Sequence, residues 1–588
     1  LGKNSRWLSV HWAIEKYLYT AVGVVTLLLS FVAVAGTGSS QSACIAPSRV
    51  VPGKFVDISE KAGVHFLHNA NHTATKYQIE TMGSGVGLFD CDNDGRLDLY
   101  LVNGASYRDP EPRGSIPQKS GPGDWNRMFH QKPDGTFEDV TEKSGLKGVG
   151  LGMGVAIADY DNDGFEDVFV TAYGGNRLYR GTGNCTFRDV TEEAGLAQPQ
   201  TAGNTWYTSA TWVDLDNDGL LDLVVERYIQ WDWEDIWCGE HREGYRGYCH
   251  PDHFPPIPML VYHNDGKGHF TELSHKLGLD KPAKALGIAI GDYDRDGRID
   301  LFVANDSSPE FLFHQKPDGT FEEVGIPSGA AVDAGGDPFA GMGVDFADYD
   351  NDGWPDLAVT DLSGQRYAIY RNRHDGTFDY VSDSTGIGAM TQPYSGWGMR
   401  FLDYDNDGWK DILITQGHDT DNIDKLRTNI HYRQPMLLAR NTGKSFVDVS
   451  SISGELFKEG WVGRGMATGD LDNDGRVDAV VTTNGGLAHI LHNETAAGNH
   501  WLSLRLTGHK SNRDGIGAVV KLTTACGSQW ATVTTSSSYL SASDPRVHFG
   551  LGKVDADAAI EIRWPSGIVQ TLTHLRVDQE VQVDEPRS

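Results

Sequence analysis

Carboxylates at positions 1, 3, 5 and 9 of a nine-residue loop, with glycine at position 6 for the sharp turn, make an oxygen-rich cage for a hard cation such as Ca²⁺. The chain writes this D-x-D-x-D-G-x-x-D loop seven times, with no aspartate missing. The candidate ligands of the first are Asp90, Asp92, Asp94 and Asp98, with the backbone carbonyl of Arg96 at position 7. The second offers Asp159, Asp161, Asp163, Asp167 and the Phe165 carbonyl; the third offers Asp214, Asp216, Asp218, Asp222 and that of Leu220. The fourth has Asp292, Asp294, Asp296, Asp300 and Arg298, and the fifth Asp348, Asp350, Asp352, Asp356 and Trp354. The sixth has Asp403, Asp405, Asp407, Asp411 and Trp409, and the seventh Asp470, Asp472, Asp474, Asp478 and Arg476. One copy alone would pass as a solvated acidic turn. Seven complete copies argue for up to seven structural calcium ions, because unpaired carboxylates that converge repel one another. Mg²⁺ suits the set less well, since it asks for a rigid octahedron that keeps several waters.

The charge balance agrees. The 588 residues carry a formal net charge of −31, of which seven divalent ions would remove fourteen. No nucleic-acid partner is expected, since phosphates need a basic face.

The first aspartates of successive loops lie 69, 55, 78, 56, 55 and 67 residues apart, a base period near 55 with insertions. A second signal alternates with the first: FVDI at Phe55, FEDV at Phe137, FRDV at Phe187, and its counterparts at Phe270, Phe321, Phe378 and Phe446. Five repeats also carry G-x-G shortly before the aspartates, as in MGSGVG at Met82. Each acidic loop is followed by a short β-rich run, a second short strand, a turn and the F-x-D-V strand. That makes about four strands per unit, and the spacing predicts an all-β, seven-bladed β-propeller. The repeats open on F-x-D-V and close without one, so the strand at Phe55 is predicted to complete the last blade and leave no open edge. Residues 496–588 read as a further β module, with short alternating strands such as WLSLRL and AIEIRW.

At the other end, Lys3, Arg6 and Lys16 precede the apolar run 17–35, and no Lys or Arg follows until Arg49. This asymmetry reads as an export signal, either a signal peptide cleaved after Ala35 or a retained N-terminal membrane helix. The expected organisation is therefore 1–35 signal or anchor, 36–50 linker, 51–495 propeller and 496–588 C-terminal β domain. In an oxidising compartment six cysteines allow one or two bridges. The insertion Tyr228–Pro256 is aromatic and holds Cys238 and Cys249. A disulfide between them is the simpler reading, and zinc held with His241, His250 and His253 is the other. Its Trp231, Trp233 and Trp237 either recognise a partner or bury the insertion's own small core. His65, His68 and His72 form a second metal candidate.

The acidic loops in units of about 55 residues resemble FG-GAP/VCBS repeats, as in integrin α-chain propellers. NRDGIGAVVKL from Asn512, YLSASDPRVHFGLG from Tyr539 and IEIRWPSG from Ile560 are similar to the ASPIC/UnbV domain. Together they resemble the cartilage acidic protein family and its bacterial relatives, over about residues 50–580. The resemblance implies an exported, calcium-binding propeller with a small C-terminal β domain, and no particular activity. Asp514, Ser541, Asp544 and Arg546 lie in the C-terminal motifs, as turn residues or as a ligand site. Cys91 stands where the other loops have Tyr or Leu.

No G-x-S-x-G, H-E-x-x-H, Walker loop or C-x-x-C-H motif is present. The expected function is a non-enzymatic module that binds a protein or glycan outside the cytoplasm. A retained helix would make it a subunit of a membrane complex. The rival is an extracellular hydrolase or lyase acting on a polymer, with calcium structural. In a third arrangement the C-terminal module alone binds and the propeller is a spacer.

Overall fold

The computed structural model describes residues 50–197 and 205–587. The apolar run 17–35, and with it the expected signal or anchor, lies outside the described residues. Among the described residues no helix is long and apolar enough to cross a membrane.

Seven four-stranded antiparallel blades form a β-propeller; the sheet of blade 1 is extended to six strands by Ser536–Ser537 and Ser541–Ala542 from the C-terminal part of the chain. In blade 2 the strands are Leu151–Ala158, Asp167–Tyr173, Arg177–Gly181 and Phe187–Asp189, and the other blades repeat this order. The D-x-D-x-D-G loop joins the first strand to the second, and its ninth residue is the first of the second strand in every blade. Blade 7 is closed by the N-terminal strand: Phe55–Asp57 pairs antiparallel with His489–Asn493, Phe55 opposite Asn493. The last blade thus borrows the strand it lacks, as the strand order requires.

The sequence pattern carries no helical signal, yet short helical turns follow most of the F-x-D-V strands, as at Ser59–Ala62 and Thr141–Ser144. The carboxylate of the motif makes them. Asp57 accepts the amide of Ser59 at 3.0 Å, and Asp139 accepts that of Thr141 at 3.0 Å. These local side-chain bonds offer the backbone an alternative to the strand.

Blades pack through aromatic residues at loop position 2. Tyr160 stacks on Trp212 of the next blade, with centroids 5.7 Å apart and planes 10° apart. Tyr349 does the same on Phe401 at 6.2 Å and 4°. In the first loop this place is taken by Cys91, which forms a disulfide with Cys185 of blade 2. A covalent bond there replaces an aromatic contact.

The C-terminal residues form two packed sheets. One is Val547–Gly552, His500–Thr507 and Gln579–Asp584; the other is Gly527–Thr532, Val519–Thr524, Ala558–Arg563 and Val569–Leu575. Leu502, Leu504, Val520, Phe549, Ile560 and Trp564 fill the space between them.

This sandwich is not the separate module that its alternating strands suggest. Residues 534–544 leave it and run along the propeller axis, touching the inner strand of every blade. Val86 in blade 1 donates its amide to Ser541 Oγ at 3.3 Å, and Gly87 pairs with Ala542. The Val155 amide of blade 2 donates to the Leu540 carbonyl at 3.1 Å. Thr211 of blade 3 bonds Ser536, and Ser538 exchanges backbone bonds with Val344 of blade 5. Met399 of blade 6 and Thr468 of blade 7 donate to Ser538 Oγ and Ser543 Oγ, both at 3.1 Å. A Cβ on Gly287 of blade 4 would lie 3.4 Å from the Ser538 carbonyl. Tyr539 and Leu540 are fully buried, and Tyr539 packs edge-on against Trp397 with centroids 5.0 Å apart. The inner-strand glycines make room for this segment: a Cβ on Gly85 would meet the Leu540 carbonyl at 2.2 Å. The G-x-G signal and the YLSAS motif are therefore two halves of one contact.

Candidate functional site: seven acidic loops under the C-terminal sandwich

Each loop is wound by its own carboxylates in the same way. The position-1 aspartate accepts the amides of positions 5 and 6; for Asp90 these are Asp94 at 3.0 Å and Gly95 at 2.8 Å. The position-5 aspartate accepts the amide of position 7, as Asp163 does from Phe165 at 3.0 Å. The position-9 aspartate accepts the amide of position 2 and one from the third strand; Asp411 takes Tyr404 at 3.3 Å and Asn441 at 2.7 Å. Position 4 has φ between +56° and +60° in all seven loops, and the position-6 glycine has φ between +83° and +96°. Asn and Gly accept that left-handed backbone at least cost.

The position-4 asparagine does more than turn the chain. Its Nδ2 donates to the position-6 carbonyl of the next blade's loop: Asn93 to Gly164 at 2.8 Å, Asn162 to Gly219 at 3.1 Å, Asn351 to Gly408 at 2.9 Å and Asn406 to Gly475 at 2.7 Å. Asn473 returns to Gly95 at 3.0 Å. Spacing reveals the repeated N at position 4, but not these five bonds between neighbouring loops.

The donor set fits a hard cation. Position-1 and position-9 aspartates are nearly all buried, while those at positions 3 and 5 are more open. Oδ1 of Asp92, Asp161 and Asp405, each at position 3, is buried with no hydrogen-bond donor. Without a cation the carboxyls of Asp159, Asp214, Asp292, Asp348 and Asp470 are pushed up to about 7, chiefly by burial. Neighbouring aspartates add to this rise at Asp214 and Asp292. The charge of a bound cation would offset both the desolvation and the repulsion.

Basic side chains hold the outer oxygens of several loops. Arg180 reaches Asp161 at 2.7 Å and Asp163 at 2.8 Å, and Arg440 spans Asp405 and Asp407. Arg96, Arg298 and Arg476 fold back from position 7 onto Asp94, Asp296 and Asp474. Histidines take the place of Arg180 in four blades; His130 lies 2.9 Å from Asp98, and His263 3.0 Å from Asp222. Asp92, Asp94 and His130 bring one ligand atom each within 4.8 Å of one another, as do Asp472, Asp474 and His492.

The C-terminal sandwich sits on this loop face. Asp514 Oδ2 accepts the Asp159 amide at 2.8 Å, and Arg513 lies 3.5 Å from Asp159. Arg505 approaches Asp90 at 3.6 Å. Arg546 donates to the Asp470 carbonyl at 2.8 Å and to Asn473 at 2.6 Å, while pairing with Asp544 at 2.7 Å. Asp514, Ser541, Asp544 and Arg546 are thus docking residues as well as turn residues.

The other candidates part company. Cys238 and Cys249 form a disulfide, which leaves no thiolate there for zinc. Trp231 and Trp233 are buried with Tyr77 and Tyr173, while Trp237 is 41% exposed and stacks on His241. His65, His68 and His72 have separate partners: Glu60, the Gly485 amide, and the hydroxyls of Tyr248 and Tyr432.

Fold and loops together define an FG-GAP-repeat propeller completed by an ASPIC and UnbV domain. The FG-GAP-like repeat model matches residues 90–170, 159–225, 258–303, 292–359 and 348–414, and the ASPIC and UnbV model matches 508–588. The chain is homologous to cartilage acidic protein 1. The Xenopus tropicalis protein is 28% identical over 487 residues, covering 72% of this chain and 71% of that one. The Homo sapiens protein is 24% identical over 433 residues, covering 71% of this chain and 60% of that one. Among solved structures, YCF48 bound to D1 peptide aligns with 71% of this chain and 94% of its own, at 7% identity and a TM-score of 0.38.

Proposed function

We propose that this protein is an exported, calcium-stapled propeller that works as a non-enzymatic binding module for a protein or glycan partner outside the cytoplasm. The repeated loop geometry carries the reading: seven sets of convergent carboxylates, with bare buried oxygens at position 3 of three loops. Export is supported by the apolar run 17–35 and by the disulfides Cys91–Cys185 and Cys238–Cys249. Whether the chain is secreted or tied to a membrane complex turns on that run, and the mass of the mature chain from its native source decides it. A hydrolase or lyase in the propeller mouth is less well supported, because residues 534–544 fill the axis. The test has two parts. Calcium content and thermal unfolding, with and without chelator, check the staples. The calcium-loaded chain on arrays of glycans and extracellular proteins checks binding, and a specific signal abolished by chelator is the expected result. Retention on no glycan or protein, or turnover of a polymer, would overturn the reading.

A further inference from the structure

A cavity of about 540 Å³ lies at the seam between the loop face and the C-terminal sandwich. Eight carboxylates and six Lys or Arg side chains line it, a formal excess of two negative charges. Five of the eight are position-1 aspartates: Asp214, Asp292, Asp348, Asp403 and Asp470. With a cation held by each of those five, three carboxylates and six basic side chains remain on the rest of the wall. The other three carboxylates already have partners on the wall: Asp345 lies 3.4 Å from Arg400, Asp544 2.7 Å from Arg546 and Glu561 3.4 Å from Arg563.

That leaves Arg295, Lys410 and Lys521, none of which has a carboxylate within ion-pair distance among the described residues. Arg295 stands at position 4, where the other six loops have Asn. It keeps the left-handed backbone, at φ +59°. Its guanidinium lies 5.0 Å from the Trp354 ring centroid and 5.5 Å from that of Trp530. Lys521 approaches the same Trp530 ring at 5.3 Å. Lys410 donates to the Trp530 carbonyl at 3.2 Å. Two cations thus lie by the Trp530 ring and a third at its backbone carbonyl, in a chamber that Gln529, Thr532 and Thr534 also line.

We propose that the calcium-loaded chamber binds an anionic saccharide. The cations would take its sulfate or carboxylate, the indole would offer a sugar ring an apolar face, and the amide and hydroxyls suit sugar hydroxyls. The inference rests on the calcium reading above and names a ligand class for it. Without calcium, the ionised fraction of those five aspartates would repel the same ligand.

The test is calorimetric titration of the full chain with a sulfated uronate disaccharide, with cellobiose as the uncharged control and inorganic sulfate as the sugar-free anion. Bound calcium is measured in the same samples. Arg295→Asn restores the residue of the other loops, and Lys521→Gln removes a charge from a half-buried strand position, so both should fold; thermal unfolding checks that. The expected result is binding of the sulfated disaccharide only in calcium, with roughly tenfold or more lost in each variant. Calcium uptake without disaccharide binding would overturn the inference and leave the calcium reading standing. Sulfate or cellobiose binding as tightly as the disaccharide would overturn it too. No calcium uptake would overturn both.

Discussion

Asn473 donates to the carbonyl of Gly95, 3.0 Å away and 378 residues earlier in the chain. This bond joins the last acidic loop to the first and is one of five such side-chain-to-backbone bonds, which run unbroken from the fifth loop through the seventh and first to the third. The ring is therefore closed twice, once by the strand Phe55–Asp57 and once by the loops that offer the cation ligands.

Asn93→Ala, which removes the bond from Asn93 to the Gly164 carbonyl, should destabilise the chain by about 0.5–1.5 kcal/mol, the net worth of one such hydrogen bond. Asn217→Ala is the control, since Asn217 shares the loop position and the exposure but, among the described residues, donates no bond to the next loop. Urea unfolding of the two variants should separate them, and equal midpoints would deny these bonds a role.

Tyr539→Ala should cost about 3–5 kcal/mol, the usual price of emptying a buried aromatic site. Removing residues 496–588 should do more than delete a domain. It would uncover the axis of the propeller, so the remaining chain should bind a hydrophobic dye and aggregate. The full chain should unfold in one transition, with near-ultraviolet and far-ultraviolet signals coinciding. A free-standing propeller that unfolds cooperatively after truncation would show the axial segment to be dispensable.

Replacing Cys91 and Cys185 by Ser opens a loop with a sequence separation of 94 residues and should cost about 2–5 kcal/mol. The loss should show as a lower denaturant midpoint, with calcium uptake at the other loops retained. Unchanged stability would mean that packing alone joins blades 1 and 2.

The metal-free chain should have an inverted pH response. Asp159, Asp214, Asp292, Asp348 and Asp470 rise from an ordinary 3.8 to about 7 in the folded chain. Between those values the native state holds more protons than the unfolded state, so stability falls as pH rises. Thermal unfolding in chelator should therefore occur at higher temperature at pH 5 than at pH 7. With calcium the order should reverse, because protons and metal compete for the same oxygens. A chelated chain more stable at pH 7 would contradict this.

Much of the architecture was legible because it repeats. The aspartates recur with period-like spacing, and the missing F-x-D-V after Leu487–Asn493 showed where the N-terminal strand must go. The axial segment was not legible. TTSSSYLSASD has neither strand nor helix period, and its partners lie hundreds of residues away; Ser541 and Val86 are 455 apart. Cys91 was visible as the odd residue at loop position 2, but its partner Cys185 sits in a turn that no repeat signal marks. The chamber around Trp530 joins residues from five loops to the sandwich, and only Arg295 in place of Asn hinted at it.

The central claim is that the seven loops hold calcium as structural staples. The most direct measurement is the intact mass of the folded chain under native conditions, with calcium and after chelation, paired with its unfolding temperature. The account predicts several bound Ca²⁺, up to seven, and a large fall in unfolding temperature when they are removed. A folded chain that carries no calcium, and unfolds at the same temperature with or without chelator, would contradict it.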